Sequence, residues 1–149
     1  MLQKRRDLGS MPDGLGVTAA EITKGKAVIR KFVDGVYTYA LPSTADEAKD
    51  IYGFITLRID DDLYTDKHHD KIPKGVKAVV YTLVKNNEWA TSEFEGTLAK
   101  GDKCIVDSTG DNAGKLKKAG TSDTPLFEVM SVSAAMAGYE DALVTVKIL

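Results

Sequence analysis

Apolar residues fall in short runs along this chain, several with a period of two, and glycine, proline, asparagine and aspartate break the runs apart. Ala27-Val28-Ile29-Arg30-Lys31-Phe32-Val33 and Val36-Tyr37-Thr38-Tyr39-Ala40-Leu41 flank Asp34-Gly35. A two-residue type I′ turn needs positive φ at both central positions, and Asp-Gly supplies them, so the pattern predicts a hairpin pairing Val33 with Val36 and Phe32 with Tyr37. Val76 to Val84 predicts a strong strand, and Asn86-Asn87 a tight turn into Trp89-Ala90-Thr91. Leu143 to Leu149 alternates, with Val144, Val146 and Ile148 on one face and Thr145 and Lys147 on the other, so one face of that strand is buried.

Helical signal is local. Thr44 caps one or two turns in which Glu47 reaches back as in a capping box, before Gly53 and the β-rich run Phe54 to Ile59 intervene. No stretch longer than about a dozen residues keeps amphipathic helical spacing, which makes the chain mainly β, a small barrel or sandwich with short helical turns.

Residues 1–23 differ from the rest. Gly9, Ser10, Pro12, Asp13, Gly14 and Gly16 punctuate them, while Leu2, Leu8, Met11, Leu15 and Val17 are scattered without a period of 2 or 3.6. The segment reads as an extended N-terminal arm, either one that binds by placing spaced apolar residues in pockets or a frayed terminus. The domain proper then spans 24–149. Within it, the polar run from Asp60 to Lys74 reads as a long connection, and 60–96 as an insertion or connection in the domain.

One pattern recurs. Lys24-Gly25-Lys26-Ala27-Val28-Ile29 has a counterpart in Lys100-Gly101-Asp102-Lys103-Cys104-Ile105-Val106. Each run reaches a turn rich in Asp and Gly (Asp34-Gly35; Gly110 to Gly114), a return strand (Val36 to Ala40; Lys115 to Ala119), a polar loop and an apolar segment (Ile51 to Ile59; Leu126 to Ala134). A spacing of about 76 positions is too long for a solenoid repeat and fits two similar halves; chance likeness between short β motifs is the alternative.

Composition removes several classes of function. In 149 residues, 43% are hydrophobic and 28% charged, which is the range of one globular domain rather than a disordered chain. Twenty-two acidic and 20 basic side chains leave a net charge of -2, so no overall field draws the chain to nucleic acid or to an anionic membrane. Met1 to Asp7 is basic but has no apolar stretch after it, and no later run approaches the roughly 20 apolar residues of a membrane span; the expected site of synthesis is the cytoplasm. Cys104 is the sole cysteine, so no disulfide framework can form within the chain, and it reads as a small buried hydrophobe.

With these features the sequence resembles the small head-decoration, or capsid-cement, proteins of tailed phages. The likeness lies in Ile22 to Val28, Leu98 to Asp107, Gly114-Lys115-Leu116 and the closing Ala142 to Leu149, and spreads over most of 22–149. It implies a compact β-barrel-like domain, often a homotrimer, on the outer face of the virion shell where capsomers meet. Such proteins are made in the host cytoplasm and stabilise the capsid against genome pressure. It also implies an N-terminal arm on the major capsid protein, a role that falls here to Leu2, Lys4, Arg5, Arg6, Leu8, Met11 and Leu15. Residues 60–96 depart from the simplest members, either as an outward-facing insertion or as part of a subunit contact. Another phage structural part, from the tail or connector, is the neighbouring possibility.

Little chemistry points to an enzyme. Asp66-Lys67-His68-His69-Asp70, with Asp60-Asp61-Asp62 nearby, holds both histidines and is the best candidate for a metal-binding alternative. Adjacent histidines on an extended chain point to opposite faces, however, and the His-x-x-x-His spacing of a helical zinc site is missing. Gly101 and Gly114 do not sit in a phosphate-binding pattern, and no Gly-x-Ser-x-Gly elbow occurs. Trp89 and Tyr81 offer stacking faces, but only Lys77 and Lys85 are near, so packing in the core or at a subunit interface is their expected use. The expectation is a non-enzymatic protein with no catalytic residue, metal or cofactor.

Overall fold

The computed structural model describes residues 1–6, 8–9, 12–57, 70–134 and 141–149. Among these, the chain opens with β1 (Leu2–Arg6), β2 (Pro12–Asp13), β3 (Val17–Thr18) and β4 (Ile22–Thr23). It continues through β5 (Ala27–Val33), β6 (Val36–Ala40), a 3-10 turn η1 (Glu47–Lys49) and β7 (Gly53–Thr56). Next come β8 (Lys71–Ile72), β9 (Val79–Thr82), β10 (Glu88–Thr91), β11 (Lys103–Val106) and a second 3-10 turn, η2 (Gly110–Asn112). β12 (Leu116–Lys118), β13 (Phe127–Ser133) and β14 (Leu143–Ile148) complete it. The protein is a mainly β single domain of two six-stranded sheets and one small ribbon, as its periodicity requires.

The Asp34-Gly35 turn has the backbone its sequence predicts. Both residues have positive φ (49° and 79°), and Val33 pairs with Val36 and Phe32 with Tyr37. Thr44 Oγ1 accepts the Glu47 amide, and the Glu47 carboxylate reaches back to the amide and hydroxyl of Ser43, one residue earlier than a capping box places it. In β14, Val144, Val146 and Ile148 are buried as the alternation requires.

The sequence echo corresponds to a repeated structural unit. One sheet runs β1-β10-β14-β13-β11-β12 and the other β2-β9-β7-β5-β6-β3, so β12-β11-β13 repeats the arrangement β6-β5-β7. The hydrogen bonds repeat too. Gly25, at φ 88°, donates its amide to Ile55 O at 2.8 Å, and Gly101, at φ 90°, donates to Val129 O at 2.8 Å. Ile55 N to Lys26 O and Tyr52 N to Val28 O are matched by Val129 N to Asp102 O and Leu126 N to Cys104 O. Glycine at 25 and 101 permits the left-handed backbone that aims each amide at the third strand.

The two sheets share one core. Tyr81 of β9 meets Trp89 of β10 with ring centroids 4.7 Å apart, and Phe54 of β7 meets Phe127 of β13 at 5.5 Å, so aromatic pairs cross from sheet to sheet. All four are buried, each worth about 1.5–3 kcal/mol on area alone. A second cluster of Ile22, Val28, Tyr39, Ile55, Ile72, Ala78 and Val80 fills the opposite face of the second sheet, beneath the β4-β8 ribbon. Cys104 lies wholly inside the first cluster, where burial pushes its thiol up to about 11, and it behaves as an apolar residue there.

One expectation needs correction, and two gain detail. No barrel closes among the described residues. β9 and β10 are consecutive in the chain but lie in different sheets, so the Asn86-Asn87 turn carries the chain across instead of joining neighbours in one ladder. Residues 1–23, expected as an extended arm, run extended along the domain: their strands pair with β10, β9, β6 and β8 in turn, because an extended backbone with free donors is stabilised by lying along sheet edges. The segment 60–96 is expected as an insertion or connection within the domain. Its described part, 70–96, supplies β9 between β2 and β7 and β10 between β1 and β14, with Tyr81 and Trp89 as core anchors.

Candidate docking surface

The predicted contact residues of the N-terminal segment have different environments. Leu2 is buried in the shared core, opposite Thr91, and is a structural residue. Lys4, on the same strand, holds its ammonium 5.4 Å from the Tyr81 ring centroid and 5.9 Å from that of Trp89. Arg5 and Arg6 are exposed along the outer strand of the first sheet, where like charges discourage edge pairing with another chain. Leu8 is 52% exposed although its amide is held by Asn87 Oδ1 at 2.7 Å, and Leu15 is 71% exposed. Met11 lies outside the described residues.

Leu15 is displayed by a turn built on Asp13. The Asp13 carboxylate accepts the Leu15 amide (3.0 Å), the Tyr52 hydroxyl (2.8 Å) and the Arg30 guanidinium (2.9 Å). Burial would raise this carboxyl, but those three hydrogen bonds outweigh it and hold the group below the usual aspartate range. Tyr39 completes the anchor: its hydroxyl donates to Asp13 O and accepts from Gly16 N. Burial pushes that hydroxyl up to about 12. Gly16 lies flat on the Tyr39 ring, where a Cβ would come within 2.7 Å of Cζ.

A second surface was not singled out from sequence. Beyond Arg30 the β5-β6 hairpin is solvent-exposed, with Phe32 66%, Val33 48%, Val36 46% and Tyr37 37% accessible. Register puts Phe32 and Tyr37 on one face, in ring contact at 5.0 Å, and Val33 and Val36 on the other. At its base, Arg30 packs between the rings of Tyr37 (4.7 Å) and Tyr52 (4.2 Å). On the other side, Lys31 makes a 2.7 Å ion pair with Glu47 of η1. The signal was present in Phe32-Val33 and Val36-Tyr37: a ribbon with one face in water alternates apolar and polar residues, whereas here both faces are apolar.

Beside the hairpin base, η1 and β11 border a cavity of about 220 Å³. Ala45, Ala48, Ile105, Val106 and Leu126 make its apolar wall, and Lys49, Lys117, Ser108, Thr124 and Asp123 its polar part. Lys117 pairs with Asp107 at 3.2 Å, and Lys49 with Asp46 at 3.2 Å. The volume is below the roughly 300 Å³ at which small-molecule sites begin, and suits a few protein side chains. Among the described residues no group of three or more His, Cys, Asp or Glu could hold a metal ion; of the predicted histidine loop, only Asp70 is described. No helix of the described chain is long and apolar enough to cross a membrane.

No protein-family model matches the chain, and no curated protein matches it. What can be said of its work therefore comes from the residues and their arrangement.

Proposed function

We propose that this chain is a non-enzymatic structural protein that docks on the outer surface of a tailed-phage capsid and stabilises it. The observation that carries this is the display of Leu8 and Leu15: two apolar side chains largely in water, on backbone pinned by Asn87 and by Asp13. A pinned backbone has already lost the entropy that a loose arm would lose on docking, so such residues bind a preformed surface at less cost. The likeness of 22–149 to capsid-cement proteins supplies the partner, the major capsid protein, and the arrangement as a homotrimer on the virion exterior. Of the architectures expected for such a protein, two facing sheets favour the sandwich over the barrel.

The test is binding of the purified protein to expanded capsid shells. Deleting residues 1–20 would also remove β1 and Leu2 from the core, so the informative variant is Leu8→Asp with Leu15→Asp, which alters only exposed side chains. Saturable binding at fixed stoichiometry, weakened at least tenfold in the double variant, is the expected result. Absence of binding to every shell tried, over a range of salt and pH, would overturn the proposal.

A further inference from the structure

Asp-Gly occurs twice in the chain, at Asp13-Gly14 and Asp34-Gly35, and the fold treats the two carboxyl groups in opposite ways. An aspartyl carboxyl carbon followed by glycine is open to attack by the next backbone nitrogen, because glycine carries no Cβ to shield that nitrogen. At position 13 both carboxylate oxygens are engaged, Oδ1 by the Leu15 amide at 3.0 Å and Oδ2 by the Arg30 guanidinium at 2.9 Å and the Tyr52 hydroxyl at 2.8 Å. The backbone there is paired with β9, and the side chain is 9% exposed. Nothing holds position 34. The residue is exposed, its carboxylate has no partner among the described residues, and the Gly35 amide donates to none of them. β5 is paired with β7 only at Ala27 and Val28, and β6 with β3 only at Thr38 and Tyr39, so opening the two-residue turn disturbs no other strand.

We propose that Asp34-Gly35 is a site of self-modification, at which the chain closes a cyclic imide and reopens it as isoaspartate. Gly35 N, losing its proton, attacks Asp34 Cγ, and the new C–N bond forms as a carboxyl oxygen leaves as water. A water molecule then opens the ring. Added at Cγ it restores aspartate; added at the α-carbonyl carbon it leaves the chain running through Cβ and Cγ, with a free α-carboxylate. One water leaves and one returns, and nothing is oxidised or reduced. Isoaspartate puts one more carbon into the backbone of a two-residue turn, so the φ values of 49° and 79° that pair Val33 with Val36 can no longer be kept. The tip that displays Phe32, Val33, Val36 and Tyr37 therefore loses its register with age, while Asp13 keeps Leu15 in place. The chemistry needs no partner and does not rest on the capsid reading.

Peptide mapping by mass spectrometry tests it, after the purified full chain has stood for weeks at neutral pH in heavy-oxygen water. Each passage through the imide builds a heavy oxygen into the residue, and isoaspartyl peptides separate from aspartyl ones by chromatography. In the folded chain the peptide holding Asp34 should gain isoaspartate and heavy oxygen about tenfold faster than the one holding Asp13, and in urea the two rates should converge to within about threefold, because only the fold distinguishes them. Gly35→Ala should slow the reaction at 34 and leave 13 unchanged, and Asp34→Asn should release ammonia through the same imide. Amide exchange at Val36 and Thr38 should quicken in the aged chain and stay unchanged at Leu116 and Lys118. Equal rates at 13 and 34 in the folded chain overturn the proposal. So does a folded chain with no isoaspartate at 34, a rate at 34 indifferent to Gly35→Ala, or an isoaspartyl tip whose amide exchange matches that of the fresh chain.

Discussion

The β5-β6 hairpin turns through Asp34-Gly35 and leaves four apolar side chains in solvent, whereas the β11-β12 hairpin turns through residues 107–115 and folds that loop back against the first half of the chain. The bases of the two units are alike down to individual hydrogen bonds, so the sheets do not dictate the difference; the turns do. In the second unit Gly114 O accepts the Ala27 amide at 2.8 Å and Lys26 Nζ donates to Asp111 O at 3.0 Å, which makes the loop a joint between the sheets. In the first unit Gly35 faces open space: among the described residues no heavy atom lies within 4 Å of a Cβ placed on it. A hairpin tip with its apolar side chains in solvent is open to another molecule.

The largest expected effect sets a return strand of one unit against that of the other. Leu116 on β12 is fully buried, and Leu116→Ala should cost about 2–5 kcal/mol in urea unfolding through lost transfer energy and a cavity. Val36→Ala on β6 should change stability by less than about 0.5 kcal/mol. Equal costs would mean that the exposed hairpin supports the fold after all, and the contrast would fall.

Glycine substitutions sharpen the comparison at the turns. Gly114 has φ +83°, and a Cβ there would lie 2.7 Å from Leu41 Cδ2 and 2.8 Å from Ala27 O. Left-handed strain and overpacking together give Gly114→Ala a cost of about 2–4 kcal/mol. Gly35 has nearly the same φ, +79°, but open space around it, so Gly35→Ala should cost only the strain, about 1 kcal/mol. Melting temperatures of the two variants against wild type would separate the contributions.

Legibility in the sequence followed the range of the interactions. Asp34-Gly35, Thr44 with Glu47, and the alternation in β14 were readable because a few adjacent residues decide them. The repeat was readable because each half carries its own glycine turn ahead of an apolar strand. What stayed hidden was the choice of partners across the chain. Leu2 is one apolar residue in a polar run, and nothing local says that it lies opposite Thr91 and enters the core. The charged residues of 60–96 set that stretch apart in the sequence, although β9 and β10 run inside the two sheets. For the same reason the side chains expected to make contacts were not separated by environment. Leu8 and Leu15 are exposed and Leu2 is buried, although all three are isolated apolar residues in the same punctuated segment; the apolar hairpin tip reads locally as ordinary strand.

The smallest expected effect concerns how the free hairpin is held. Glu47 is drawn down to about 2 from its ordinary 4.5, first by the Lys31 ammonium and then by the amide and hydroxyl of Ser43. Its folded value lies below its unfolded one, so the interaction contributes fully above about pH 4.5 and is lost as the pH falls through about 2. The carboxylate is on the surface, so its protonation should loosen the angle between hairpin and η1 without unfolding the sheets. Amide resonances of Lys31 to Thr38 should therefore shift together with a midpoint near pH 2, and this transition should vanish in Glu47→Gln. Asp107 provides the control in the other unit. Burial would raise it, but hydrogen bonds from Thr109 and Lys117 bring it to about 2, so its loop should titrate in the same acid range in Glu47→Gln as in wild type. A hairpin midpoint near 4.5 would mean that Lys31 and Ser43 do not hold Glu47 in solution, and the tip would then have no fixed position relative to the cavity beside it.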